Sequence, residues 1–166
     1  PVSGITYTNY RLAVIDGLND YKINSNINKS IAADPSQSQS DDYAFTKSLL
    51  VQKGKINLNS GYNVTAHLNS GELTSIGTPT VVGLDMNSSA TATNRNQTGI
   101  TLHNGSTVSA DRTDDGAGAV GLFINYGEAK VNSGATVNVE KSGINGENEG
   151  AVGIFAVMTE KLAMQN

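Results

Sequence analysis

Apolar residues recur along this chain in short runs, and the runs copy one another. Ala119-Val120-Gly121-Leu122-Phe123 returns as Ala151-Val152-Gly153-Ile154-Phe155. A weaker copy is Val81-Val82-Gly83-Leu84-Asp85, and weaker still are Leu49-Leu50-Val51 and Ala13-Val14-Ile15. With Val14, Leu50, Val82, Val120 and Val152 as anchors, the successive steps are 36, 32, 38 and 32 residues. Self-similarity at such a period is the signature of a solenoid.

Within a repeat the polar and apolar positions predict three strands in a fixed order. In the clearest repeat, 119–150, the first strand is 119–124, a turn follows at 125–128, and the second strand is 129–132. After a break at Ser133-Gly134 comes the third strand, 135–140, then a polar loop, 141–150. The strand-break-strand piece is the most regular: 56–66 matches 100–110, and both match 129–139. Apolar residues there alternate with Asn, Thr and Ser, the period-2 pattern of a strand with one face buried. Gly61, Gly105 and Gly134 fall at one position, where a corner calls for a residue that tolerates positive φ. The first repeat is less regular: 21–27 fits a second strand, and 34–42 is a polar excursion. Segment 42–53 reads as strand rather than short helix because it matches the anchors, and 158–166 is compatible with helix.

Three short strands per repeat close into one coil, and stacked coils set strand on matching strand at ~4.8 Å. The sequence thus predicts an all-β fold, a right-handed parallel β-helix of about four coils of 32–38 residues. The coils span about 13–48, 49–80, 81–118 and 119–150, and a fifth starts at 151; 34–42 and 87–98 are loop excursions. A β-sandwich or jelly roll is the rival, but it would not require matched apolar positions in successive repeats. Val82, Leu84, Leu102, Val108, Val120, Leu122, Val131, Val137, Val152 and Ile154 are expected to stack as the core.

Composition fits this picture. The 166 residues suit one domain. Asn (19), Ser (16), Thr (15) and Gly (18) dominate while charged residues are only 16%, the balance of a folded β surface with many turns rather than a charge-rich disordered chain. The net charge of -4 with scattered Lys and Arg argues against a nucleic-acid partner. With no cysteine there is no disulfide framework or thiolate metal site. No leader segment is legible, no apolar run approaches the ~20 residues of a membrane helix, and both ends fall inside the repeat pattern. The chain reads as a piece of a longer protein, stacking on further coils of the same parent.

The repeated Gly-Ala-Val-Gly-hydrophobic and hydrophobic-x-hydrophobic-Asn-Ser-Gly-x-Thr-Val units, the Asn/Ser/Thr/Gly composition and the missing cysteine resemble a bacterial autotransporter (type V secretion) passenger. The texture is most like the long fusobacterial adhesin-type passengers. The resemblance covers about 14–157, and no translocator barrel is present in the chain. It implies display at the cell surface, anchored to the outer membrane or secreted, and a virulence role in adhesion to a host or bacterial surface protein or glycan.

Loops after the third strand fall at one corner of every coil: 34–42, 71–80, 111–118 and 141–150. Loops projecting from one face of a repeat protein often bind. With the 87–98 excursion they supply the candidate contact residues: Asn87, Asn94, Arg95, Asn96, Asp111, Arg112, Asp114, Asp115, Glu147 and Glu149. Acids on adjacent loops could in principle gather calcium, or pair across a sugar groove as a glycosidase does. No calcium-repeat or EF-hand spacing occurs, aromatics are just 5%, and nothing in these Gly-rich loops would shift a carboxylate pKa. No catalytic, cofactor or metal residue is therefore assigned. His67 and His103 read as surface residues, and the six tyrosines as packing in the early coils. The leading expectation is a non-enzymatic adhesin segment. The alternatives are a purely structural stalk and a polysaccharide-cleaving β-helix.

Overall fold

The computed structural model describes residues 5–6, 11–31, 45–68, 80–87, 98–112, 118–125, 127–141 and 150–157. These residues form strands and turns, with no helix among them. In chain order the strands are β1 (Ile5–Thr6), β2 (Arg11–Ile23), β3 (Ile27–Ile31), β4 (Phe45–Leu58), β5 (Asn63–Leu68) and β6 (Thr80–Asn87). Then come β7 (Thr98–Leu102), β8 (Thr107–Arg112), β9 (Ala119–Asn125), β10 (Glu128–Val131), β11 (Thr136–Lys141) and β12 (Ala151–Val157).

One sheet runs β1-β2-β4-β6-β9-β12, with β7 pairing β4 and β10 pairing β7; the other runs β11-β8-β5-β3. Among the described residues every pairing is parallel except β1 on β2. Parallel neighbours a whole repeat apart in sequence are what a chain produces when equivalent strands stack, and the arrangement is compatible with a β-helix. The strands fall into three columns. The first holds the leading halves of β2 and β4, then β6, β9 and β12. The second holds the trailing halves of β2 and β4, then β7 and β10. The third is the β3-β5-β8-β11 sheet.

The register of the second and third columns is the one expected from the strand-break-strand alignment. Ile56 pairs Ile100, which pairs Ala129; Val64 pairs Val108, which pairs Val137. The intervening turn is a stacked feature. Tyr62, Ser106 and Ala135 each donate a backbone N–H to the carbonyl three residues back, at 3.2, 3.0 and 3.0 Å. Gly61, Gly105 and Gly134 occupy the third turn position at φ of 80°, 77° and 81°. That is the type II position where a side chain is strained and glycine is not. Gly61 N–H donates to Gly105 O at 3.1 Å and Gly105 N–H to Gly134 O at 2.9 Å, so the ladder continues through the corner.

The first column departs from expectation between the second and third repeats. Val14 pairs Leu50 and Val82 pairs Val120, but Val82 pairs Lys47 rather than lying level with Leu50. Leu49 lies opposite Leu84, a step of 35 residues where the anchors expected 32. The slip is odd, so it exchanges the faces of the strand. It places Leu49 and Val51, both fully buried, level with Leu84 and Met86. An apolar run such as Leu49-Leu50-Val51 fits either register, which is why the sequence alone chose wrongly. The expected strand at 21–27 is also corrected: β2 ends at Ile23, a turn occupies 24–26, and Ile27 opens β3. Segment 45–53 is strand, as read. Segment 158–166 lies outside the described residues.

The core follows the columns. Ile15, Leu49, Leu58, Leu84, Leu102, Val108 and Leu122 are in one buried cluster, and Ala66, Val81, Ala110 and Ala119 form a second. Burial falls along each column toward the last repeat. Leu58 and Leu102 are fully buried but Val131 is 43% exposed; Leu84 and Leu122 are fully buried but Ile154 is 49% exposed. Val131, Ile154, Val137 and Val152, all expected core residues, lie on strands with no described strand beyond them, so their stacking contacts are made on one side only. Phe155 still stacks on Phe123, ring centroids 5.4 Å apart and 16° from parallel.

Gly83, Gly121 and Gly153 sit between the Val82–Val120–Val152 and Leu84–Leu122–Ile154 rungs. A Cβ on Gly83 would lie 2.9 Å from Val108 Cγ1 and 2.7 Å from Ser109 O. On Gly121 it would lie 2.5 Å from Val137 Cγ1. The repeated glycine therefore lets the first and third columns approach closely.

Candidate functional site

The residues expected to make contacts divide three ways. Asn94, Arg95, Asn96, Asp114, Asp115, Glu147 and Glu149 lie outside the described residues. Asn87 and Arg112, expected in loops, end strands β6 and β8 and pair Asn125 and Lys141. Asp111, also expected in a loop, is a β8 strand residue level with His67 of β5. Thr98, the far end of the expected 87–98 excursion, opens β7 and is 1% exposed. Strand β6 thus runs through Asn87, β7 starts at Thr98 and β8 runs through Arg112, while 88–97 and 113–117 lie outside the described residues. The physical reason is pairing: strands in a stack extend as far as the neighbouring repeat offers backbone partners, beyond the end of their own apolar alternation.

The expected common corner does appear in the topology. Four chain segments leave the third column and return to the first, from Ile31 to Phe45, from Leu68 to Thr80, from Arg112 to Ala119 and from Lys141 to Ala151. All join the same two sheets at the same ends of their strands.

His67 Nδ1 and Asp111 Oδ1 are paired, each side chain 31% exposed. The sequence placed His67 on the surface and Asp111 among the loop contacts; the stacking register makes them neighbours. Partly exposed pairs contribute little, up to ~1 kcal/mol. Asp111→Asn or His67→Ala should therefore lower stability by no more than about 1 kcal/mol in urea unfolding. A larger loss would mean the pair fixes the register of the third column.

The sequence missed one more feature, on the outer face of the second column. A groove there is lined by Asp20, Lys55, Asn57, Gly99, Thr101, Glu128 and Lys130, with Ile56 and Ile100 beneath. One rung line runs Lys22, Asn57, Thr101, Lys130; another runs Lys55, Gly99, Glu128. Alternation places these groups outward, because Ile56, Leu58, Ile100 and Leu102 between them are buried. Gly99 leaves the middle of its line without a side chain. Lys130 Nζ lies 3.6 Å from Glu128 Oε1, both well exposed. His103 Nε2 is 2.9 Å from Asn57 Oδ1, which ties the groove to the adjoining turn. At the head of the groove Asp20 has φ of 51°, and β2 shifts register against β4 three times between Ile15 and Tyr21. The signal existed in the sequence, as Lys-x-Asn and Glu-x-Lys on the polar phase of strands, but only the stacking order brings them together.

No three His, Asp or Glu side chains among the described residues converge in a way that could hold a metal ion. No family model, curated protein or solved structure matches the chain.

Proposed function

We propose that this chain is a segment of a bacterial surface adhesin of the autotransporter-passenger type: a right-handed parallel β-helix that carries contact loops away from the cell and performs no catalysis. Its partner is a host or bacterial surface protein or glycan. Its neighbours are further coils of the same parent chain.

The observation that carries this reading is the repeated return at one corner. Four successive third-column strands hand the chain back to the first column through segments of differing length, 32–44, 69–79, 113–118 and 142–150, while the strands on either side stay paired. Variable segments on an invariant ladder are how a repeat scaffold varies its contacts without disturbing its core. The exposed last rung, Val131, Ile154 and Phe155, supports stacking on further coils, since parallel edges with apolar columns take another repeat of the same kind.

The test replaces 88–97 by a short Gly-Asn turn, leaving Asn87 and Thr98 in their strands. Adhesion of the displayed segment to cells should fall by about tenfold or more while the far-UV β spectrum and melting stay unchanged, because loops add little to a stacked core. If adhesion persists after both 88–97 and 113–117 are replaced, the chain is a stalk. The continuous backbone ladder favours that second reading. Release of reducing sugar in a polysaccharide screen would instead make it carbohydrate-active.

A further inference from the structure

We infer that the groove on the outer face of the second column binds a linear acidic glycan. This deepens the attachment reading and rests on it for its biological sense, but it moves one contact from the loops to a sheet face.

The groove's chemistry selects this class. Among the described residues of the second column's outer face, Lys22, Lys55 and Lys130 stand against the acids Asp20 and Glu128. The face therefore carries one more lysine than acids, on a chain whose net charge is -4. Between the lysines lie an amide and a hydroxyl, Asn57 and Thr101, each half-buried and in line with Lys22 and Lys130. Three rungs at ~4.8 Å separate those two lysines by ~14 Å along the stack, the reach of a short oligosaccharide. Their ammonium groups would meet carboxylates or sulfates at intervals, while Asn57 and Thr101 exchange hydrogen bonds with ring hydroxyls. Gly99 keeps the floor flat enough for a sugar ring.

Other polymers fit less well. A peptide strand adds to an open sheet edge, whereas the groove lies on the face of the β4-β7-β10 column, where the backbone groups point along the sheet and not into the groove. A single-stranded nucleic acid calls for aromatic platforms, and the groove lining has none. Asp20 supplies an independent pointer. It is the one described non-glycine residue at positive φ, and it stands at the groove where β2 is bulged; strain and bulges of this kind gather at binding sites.

The test is titration calorimetry of the intact chain with hexagalacturonate and with a chondroitin sulfate hexamer, and with cellohexaose as the neutral probe. One of the two acidic hexamers should bind and weaken as salt rises; cellohexaose should bind at least about tenfold more weakly. Lys55→Gln with Lys130→Gln should reduce affinity about tenfold or more, and Thr101→Ala should reduce it measurably, with β spectra unchanged. Lys53→Gln, on strand β4 but outside the groove lining, should stay within about twofold. The proposal is overturned if neither acidic hexamer binds, if the folded double variant binds as wild type, or if Lys53→Gln loses as much as the double variant. Should the double variant lose its fold, the two single lysine variants decide by the same criterion. A chain that attaches to cells but binds no acidic hexamer overturns the groove and spares the attachment reading. Binding of the hexamer without attachment does the reverse.

Discussion

Gly121→Val should destabilise the chain more than any other single substitution in the repeated Ala-Val-Gly motif. A Cβ at this position would sit 2.5 Å from Val137 Cγ1, 3.1 Å from Val139 Cγ2 and 2.8 Å from Gly153 O. Two of these neighbours are β-branched side chains with few rotamers to yield, and the third is backbone in the next rung. Relief requires the first and third columns to separate, which opens the core on both sides of the rung. Overpacking of this kind costs ~1–3 kcal/mol, and the two further methyls of valine push toward the upper end. At ~2–4 °C per kcal/mol for a chain of this size, melting should fall by about 5–10 °C. Gly153→Val is the internal comparison. It occupies the same rung line one repeat later, and a Cβ there meets nothing within 4 Å. It should melt within about 2 °C of wild type, as surface substitutions do. Equal losses at the two positions would show that the conformational freedom of glycine, rather than close approach, is what the motif requires.

Leu102→Ala should cost ~2–5 kcal/mol, and Val131→Ala no more than about 1 kcal/mol. The two residues occupy one column and are directly paired. Leu102 is fully buried and packed between Leu58 and Val131, so truncation leaves a cavity that rungs above and below cannot collapse to fill. Val131 is 43% exposed. Removing its methyls releases less apolar surface and leaves no enclosed void. Urea midpoints with unchanged slopes would measure both. A Val131→Ala loss as large as that at Leu102 would mean another repeat covers this rung.

Much of the stacking was legible in the residues. The alternation in 56–66, 100–110 and 129–139 fixed strand direction, facing and register, because each buried side chain there is flanked by polar ones and a one-residue slip would invert every face. The turn glycines were legible for the same reason: Gly61, Gly105 and Gly134 sit at a fixed offset from the alternation, and their φ near +80° is what the offset called for. The first column was harder. Its runs, Leu49-Leu50-Val51 and Val81-Val82-Gly83-Leu84, are apolar at consecutive positions, so periodicity could not decide which member faced the core. The three-residue error at Leu50 follows directly. The candidate contacts fared similarly. Asp111 looked like a loop acid because it follows the last apolar residue of its strand, Ala110, yet its backbone pairs with His67 and Glu140.

The sequence by itself determined that this chain is built from repeated short strands, which residues face inward in two of the three columns, and where the corners turn. Those are properties of neighbours a few residues apart, and local alternation encodes them. Tertiary structure decided the rest: the 35-residue step at Leu49–Leu84, the side-chain contact of His67 with Asp111, the closeness that penalises a side chain at Gly121, and the placing of Lys22 level with Asn57 at the head of one groove. Each joins residues a repeat or more apart. At Leu49–Leu84 and Lys22–Asn57 the spacing departs from the aligned repeats, and at His67–Asp111 and Gly121 the alignment gives the level but only the fold gives the contact.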